Sequence, residues 1–591
     1  MKVEIIDIRQ LLPSFGKPLL EEMFADCQTV KILHRFTAGL SGSYVFQVRP
    51  KLTNGAFLRT AIVKLDWKYN IEREWAASQR IDKQQPSNTM DIQGEPTYLH
   101  NRGGLSYPVA GNGDFDVESF ADFYRANPLQ VIQLLLQKWV AKSLSSFWKL
   151  NSRPEPDYQF QAHYDADLPD NYVIRMSARP QDQQITEFTP ATIQRYSLKN
   201  EQFVKLVGFR VARIHKSHHR LFLEPSQTHD GFRLRVNNVA NIEHYREGMT
   251  LQQPIIGIVK GSRRDFFVAE LKKATIQVAD VSAESIPLPT GGSVANPITK
   301  LPSILKSTLH VTVGPIHGDL NMENILVETS GQGAYFIDFA RSKRDHVLRD
   351  LLHLEMAVVT QLGAETFVAA AQSADAIIPF YRQLHVAMFN PAALHLPKAL
   401  EKLARVILAI RQIASHHLFE KNAWREYYTG LFLYLMGALR FGSLDKLTTA
   451  PHPKQIAFWG AAVSAELITA KSGTPASSLY DTSLENAPAP QMTRAEFVTA
   501  LQQLNDDVRA LHRLGIDADE VDMMVGDLKS AETHAKRASP KSRSIRSRLK
   551  NVQEALNDAI STANQSTHVA TQLDTLNNMI EKLIEAVTNI Y

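Results

Sequence analysis

The chain has 591 residues, 44% apolar and 21% charged, the balance of an ordinary globular protein with room for roughly two to four domains. Its 65 Lys and Arg against 61 Asp and Glu leave a formal charge of +4, too little for a strong nucleic-acid footprint. A single cysteine, Cys27, excludes an internal disulfide and fits a reducing compartment.

The first segment, MKVEIIDIRQLL, interrupts its apolar residues with Lys2, Glu4, Asp7 and Arg9, so it does not read as a signal peptide. Alternation predicts strands over VKILHRF (30–36), SYVFQV (43–48) and LRTAIVKLD (58–66). A helix is expected at about 70–82 (NIEREWAASQRI), then strand-like PTYLH and LSYPVAG, then an amphipathic helix over 128–149. Between 151 and about 300 the character changes. A helix at about 200–219 is expected there, followed by short strands FRLRVNN, QPIIGIVKG and DFFVAEL and a Pro/Gly/Ser-rich run, SIPLPTGGSVANP. This stretch reads as an insert carrying a small β element. Residues 346–472 read as helical almost throughout. The most apolar run, GLFLYLMGAL (430–439), is shorter than a membrane span and is closed by Arg440, so no membrane partner is expected and the location is expected to be cytoplasmic.

KSGTPASSLYDTSLENAPAPQ (471–491) has linker composition. Beyond it, three stripes recur at spacings of three and four: Phe497 to Leu511, Ile545 to Leu556 and Val569 to Val587. They predict an antiparallel helical bundle, with Ser539-Pro540 as a helix start. The expected division is 1–115 and 116–150 for a first lobe and the start of a second, 151–300 for the insert, 301–472 for the rest of the second lobe, 473–491 for the linker and 492–591 for the bundle.

Chemistry concentrates in HGDLNMENILVETSGQGAYFIDFA (317–340). Buried carboxylates are costly unless paired or bound to a metal, so Asp319, Asn324 and Asp338 around two short apolar strands (325–327 and 335–337) imply negative charge held for a purpose. Phosphoryl transfer has that need: a group to orient the attacking hydroxyl, here Asp319, and oxygen ligands for magnesium, here Asn324 and Asp338. The order Asp, five residues, Asn, strand, turn, strand, Asp matches a kinase catalytic loop.

HGDLNMEN followed by IDFA resembles the aminoglycoside phosphotransferase and choline kinase superfamily, which has His-Gly-Asp where protein kinases have His-Arg-Asp. The continuation IDFARSKRDHVLRDLLHLE is more similar to kinase-like ternary-complex-associated domains of bacterial conflict and signalling systems. The resemblance implies an α+β, bilobal, protein-kinase-like fold, with the insert and the helical bundle as additions. It implies ATP or GTP and magnesium as cofactors, and His317 and Asp350 as supports of the loop. It makes Lys64, ending AIVKLD, the lysine on the nucleotide phosphates and Glu74 its helix partner, with Glu72 as the alternative. In AGLSGSYVFQV (38–48), Gly39, Ser41, Gly42 and Ser43 resemble a phosphate loop, with two glycines where the pattern has three. Asp-Phe-Ala stands where Asp-Phe-Gly is usual.

Three readings compete. The core transfers phosphate to an unknown acceptor. Alternatively it is a pseudokinase that senses nucleotide and recruits a protein partner through 492–591. A weaker reading gives the insert a nucleic-acid role through Lys260, Arg263 and Arg264. His215 and His219 could pair on a metal one helical turn apart, although no acidic residue lies between them, and a polar helix end is the plainer account.

Overall fold

A computed structural model describes residues 3–36, 43–58, 60–81, 89, 92, 94–108, 117–178, 183–193, 197–225, 231–289, 291–329, 333–469, 494–514, 516, 518–536, 542–562 and scattered positions between 573 and 587. Gly39, Ser41, Gly42, the linker 471–491, the turn residues 330–332 and Ser539-Pro540 lie outside them. The chain divides into two compact units, Met1–Ala476 and Ser477–Tyr591.

In the first lobe, β1 (Glu4–Ile6), α1 (Gly16–Met23), β2 (Cys27–Phe36), β3 (Tyr44–Leu52), β4 (Ala61–Trp67), α2 (Lys68–Ile81), β5 (Thr97–Leu99) and β6 (Arg102–Pro108) build one sheet with two helices. The strand order is β1-β2-β3-β4-β6-β5, antiparallel from β2 onward. Side chains of a strand alternate between faces. On β4, Val63 and Leu65 therefore join Leu19, Leu20 and Phe46 on the α1 side. Ile62 instead packs with Ile71 of α2, Tyr107 and Ile337. That alternation sends Lys64 to the face turned toward α2 and the second lobe.

The second lobe begins with β7 (Val117–Ser119), α3 (Phe120–Ala126) and α4 (Leu129–Leu134), which runs through a wide π-type stretch, Leu135–Val140, into α5 (Ala141–Lys149). Then come β8 (Arg153–Gln159) and α6 (Phe160–Tyr164). Next is a sheet of β9 (Tyr172–Met176), β10 (Ile185–Phe188), β11 (Phe203–Leu206), β12 (Arg210–His215), β13 (Arg220–Glu224), β14 (Leu234–Asn237) and β15 (Ile255–Ser262). Its order is β10-β11-β15-β9-β14-β13-β12, and Phe188, Leu206, Phe209, Val211, Leu223 and Val236 are among the residues of a core of its own.

The expected helix at 200–219 is therefore β11 and β12. Gly208 turns the chain between them with φ +74°, and His219, at φ +49°, closes the turn into β13. His215 and His219 do not share a helix face, so the spacing argument for a metal pair falls away. DFFVAEL, expected as a strand, lies in α7 (Arg263–Lys273), started by a Ser262–Asp265 capping box. Lys260 pairs with Glu201 at 2.8 Å. Arg263 turns inward to Asp165 at 2.7 Å and to the Pro169 carbonyl at 2.6 Å, so neither cation is free for a phosphate backbone.

After α7 come a hairpin of β16 (Ser285–Pro287) and β17 (Ser293–Ala295), then α8 (Pro297–Leu305), β18 (Thr308–Ile316), β19 (Ile325–Glu328), β20 (Ala334–Phe336) and β21 (Lys343–His346). Strand β18 lies between β21 and β8, and β19 between β20 and β7. Helices α9 (Arg349–Val358), α10 (Ala364–Ala369), α11 (Ile377–Phe389), α12 (Lys398–Ser415), α13 (Arg425–Ala438) and α14 (His452–Thr469) complete the lobe. Phe160, Phe267, Ile298, Leu352, Ile407 and Leu435 share its core, so α6, α7 and α8 belong to the lobe and the separate sheet spans only Tyr172–Ser262. Deep in this core, Arg411 bonds Glu355 at 2.7 Å and Tyr427 donates to the same carboxylate. The first unit is a bilobal, protein-kinase-like α+β fold. Among the described residues no helix is long and apolar enough to cross a membrane.

In the second unit, α15 (Arg494–Ala510), α16 (Ala518–Ala535) and α17 (Ser542–Thr562) bury Phe497, Leu504, Met524, Leu528, Ile545 and Leu549. Leu573, Ile580 and Val587 belong to the same core. Helix α16 had no counterpart among the three stripes read from the sequence.

Candidate active site

Strand β4 delivers Lys64 to the space between the lobes. Its Nζ lies 2.7 Å from Glu74 Oε2 on α2 and 2.5 Å from Asp338 Oδ2, which follows β20. The other oxygen of Glu74 accepts from the Tyr107 hydroxyl on β6. Glu72 lies on another face of α2 and reaches Lys68 at 3.8 Å. The buried Glu74 and the half-buried Asp338 thus share one ammonium. Burial opposes the charge on Lys64, but Asp338 and Glu74 outweigh it and hold the ammonium above its ordinary range. Asp338 stays below its ordinary value: burial pushes it up, and Lys64, with help from His317 and Arg341, more than reverses that. Glu74 is pushed up to about 7 by burial and by Asp338.

The loop after β18 is fixed from beneath. Asp350, fully buried at the start of α9, accepts from the His317 and Gly318 amides and from Trp148 Nε1, each at 2.8 Å. His317 Nδ1 lies 3.3 Å from the Asp319 amide and its Nε2 lies 2.9 Å from the Ile337 carbonyl. These partners assign the proton to Nε2. His317 thereby ties the loop to the strand end before Asp338. Gly318 has φ +81°, and a Cβ there would collide with the Arg341 carbonyl.

Asn324 Nδ2 donates to the Asp319 carbonyl at 2.7 Å, which leaves its amide oxygen as the atom able to serve a metal. Asn324, Asp338, Lys64, Glu74, Ser43 and Glu323 line one cleft. Ser43 Oγ donates to Asp66 at 2.7 Å. Burial and the nearby Asp122 push the Glu323 carboxyl up to about 7.

On the far side of the loop, the Asp319 carboxylate sits between Arg341 Nε at 3.7 Å and His353 Nδ1 at 3.5 Å. Asp319 and its near neighbours hold Arg341 above its ordinary value, while burial holds the His353 imidazole below its own. The His353 ring stacks on Tyr434 at 5.4 Å. Sequence reasoning had not singled out Tyr107, Arg341 or His353. Arg341 stands three residues after Asp338 and His353 three after Asp350, so both were within reach of the motif by helical or turn spacing.

The donor set suits magnesium: one carboxylate, Asp338, and one amide oxygen, Asn324, line the same cleft. Among the described residues no cluster of three or more His, Cys, Asp or Glu side chains offers a closed metal cage.

No curated protein matches the chain. Among solved structures, a thermostable mutant of aminoglycoside phosphotransferase APH(4)-Ia in ternary complex with ADP and hygromycin B is similar at 10% identity, covering 76% of this chain and 98% of that one, with a TM-score of 0.32. The apo form of such a mutant matches at 12% identity over 77% of this chain and 99% of that one, with a TM-score of 0.29. A complex with AMP-PNP and hygromycin B matches at 10% identity over 78% and 100%, with a TM-score of 0.29. The family model described as ternary complex associated domain 9 matches residues 28–440, a span that runs from β2 through the cleft to the end of α13. The chain belongs to the ternary complex associated domain 9 family.

Proposed function

We propose that the first unit transfers the terminal phosphoryl group of ATP, or of GTP, to a hydroxyl of an acceptor. The observation that carries this reading is the meeting of Lys64, Glu74 and Asp338 in the cleft that Asn324 also lines, with Asp319 on the same loop. Lys64 leaves Asp338 to hold the α- and β-phosphates and remains oriented by Glu74. Asp319 accepts the proton of the acceptor hydroxyl as its oxygen bonds to the γ-phosphorus. The bond from that phosphorus to the β–γ bridging oxygen breaks, and the nucleoside diphosphate leaves with the electron pair. Magnesium, held by Asn324 and Asp338, would neutralise charge on the phosphates. His317 and Asp350 position the loop, and Ser43, which lines the cleft, stands on the phosphate side; the phosphate-loop role of Gly39, Ser41 and Gly42 rests on the resemblance alone.

The test uses the full chain with γ-labelled ATP and magnesium, beside Asp319→Asn and Asp338→Ala. Label should reach an acceptor in a metabolite extract or on protein. Asp338→Ala should lose metal-dependent nucleotide binding, and Asp319→Asn should bind ATP and transfer poorly. Binding without transfer to any pool would overturn the reading. It would favour a nucleotide-sensing adaptor in a bacterial conflict or signalling system, for which the separate core of Ser477–Tyr591 supplies a partner-binding unit.

A further inference from the structure

Ile174, Leu221, Leu223, Leu234 and Val236 point into the core of the inserted sheet. Alternation turns their strand neighbours to the opposite face. There Phe222 of β13 lies in register between Arg213 of β12 and Arg235 of β14. Two residues along the strands, His215 pairs with Arg220, and Asn237 of β14 pairs with Arg175 of β9. Paired side chains on a sheet stand about 5 Å apart, so these groups form one continuous surface. The rings meet on it: His215 lies edge to face against Phe222 at 5.2 Å, and His218 lies 6.4 Å from His215. Arg175 and Arg213 are exposed, while Arg220, Phe222 and Arg235 are half-buried.

The acids at this face and its margins are taken. Glu224 is bonded by Arg210, and Asp170 by Arg233 at 2.7 Å and Arg235 at 3.6 Å. Glu243 is bonded by Lys216 at 2.8 Å, and Glu247 accepts from the Ile214 amide at 2.9 Å. Arg175, Arg213 and Arg220 have no hydrogen bond or ion pair among the described residues. Three guanidiniums on one face without a carboxylate suit a partner that brings several anions of its own. Their planar forks match phosphate oxygens in pairs. Phe222 narrows the choice further. A base can stack on an aromatic ring while the neighbouring phosphates meet guanidiniums beside it. A duplex hides its base faces, and an anionic bilayer or an acidic peptide offers no flat ring of this kind. The combination selects an unpaired strand.

We infer that this face of the inserted sheet binds single-stranded nucleic acid, with Phe222 against a base and Arg175, Arg213 and Arg220 on the phosphates. Lys260 and Arg263, the cations singled out in the sequence, have no part in it. The inference stands apart from the phosphotransferase reading and does not depend on it.

The test follows the fluorescence anisotropy of a short labelled strand, oligouridine and then oligothymidine, bound to the full chain across a series of salt concentrations. A duplex of the same length, a heparin fragment, polyglutamate and phosphatidylglycerol vesicles serve as comparison probes. At least one single strand should bind more tightly than the duplex, polyglutamate and the vesicles. Arg213→Gln and Arg175→Gln, each with an unchanged melting temperature, should each weaken it about fivefold. Each should also flatten the slope of log affinity against log salt by about 0.7. Phe222→Leu should weaken the single strand about tenfold and leave heparin binding unchanged. Lys260→Gln, on β15 and paired with Glu201 in the parent, should change nothing. No binding of either strand, preference for the duplex, polyglutamate or the vesicles, or indifference to both arginine substitutions would each overturn the inference. So would a Lys260→Gln loss as large as that of Arg213→Gln, or a folded Phe222→Leu chain that binds the strand as the parent does or loses heparin equally. Should Phe222→Leu melt below the parent, the preference for single strand over duplex and the two arginine variants decide.

Discussion

Lys64 and Asp338 stand 274 residues apart in the chain and 2.5 Å apart in the structure. Glu74 meets the same ammonium from α2, so strand, helix and the segment after β20 close on one charge. Removing that charge leaves a buried and a half-buried carboxylate facing each other. Lys64→Met should destabilise the first unit by about 3–5 kcal/mol, and Glu74→Gln in the same chain should return part of the loss. Denaturant unfolding of the parent and the two variants checks it. Equal stability of Lys64→Met and the parent would mean that the triad contributes nothing.

Two acids carry a pH signature. Glu74 and Glu323 both rise from an ordinary 4.5 to about 7. A raised carboxyl contributes stability fully below about 4.5, and that contribution is lost as pH rises through about 7. Stability should therefore fall between pH 5 and 8. Glu323→Gln should remove on the order of 1–2 kcal/mol of that fall, allowing for the solvent that still reaches the side chain. Unfolding midpoints at pH 5 and 8 for the parent and the variant decide it.

The loop beneath the acceptor offers a backbone test. Gly318→Ala must place a Cβ against the Arg341 carbonyl at φ +81°. A cost of about 2–4 kcal/mol is expected, with transfer falling far more than ATP affinity. Asp350→Asn keeps one acceptor oxygen but turns an amide donor toward at least one of three groups that already donate. It should cost about 2–4 kcal/mol and produce the same split between transfer and nucleotide binding. A variant that melts like the parent and transfers at full rate would show that this support is dispensable.

A fragment spanning 477–591 should be helical and unfold cooperatively on its own, because its apolar stripes meet within one core. Leu549→Ala, at a fully buried position, should cost it about 2–5 kcal/mol. Circular dichroism of the two fragments is sufficient, and a featureless spectrum for the parent fragment would refute it.

Much of the first lobe was readable because its strands are half-buried and antiparallel, so Val30, Ile32, Phe46 and Val48 alternate with polar residues. The HGD segment was readable because its chemistry is local in sequence. FVKLVGFRVARIH was not. Its buried Phe203, Val204, Leu206, Phe209 and Val211 suit a helix stripe or paired strands, and the choice is made by β15, whose Ile255–Ile258 segment lies far along the chain. DFFVAEL failed for the converse reason: its apolar run is short, and the capping box at Ser262 and Asp265 carries the helix signal. Tyr107 escaped because it acts through a partner remote in sequence, Glu74.

The separate sheet leaves and rejoins the second lobe at one place. The Arg263 amide donates to the Asn171 carbonyl at 2.9 Å, and the Arg263 side chain bonds the Asn171 amide oxygen, across 92 residues of sequence. A chain closed so tightly at the neck costs the host fold little, whatever is strung between the two ends. The sheet is therefore a cassette. Another could be spliced between Asn171 and Arg263 without disturbing Lys64, Asp319 or Asp338.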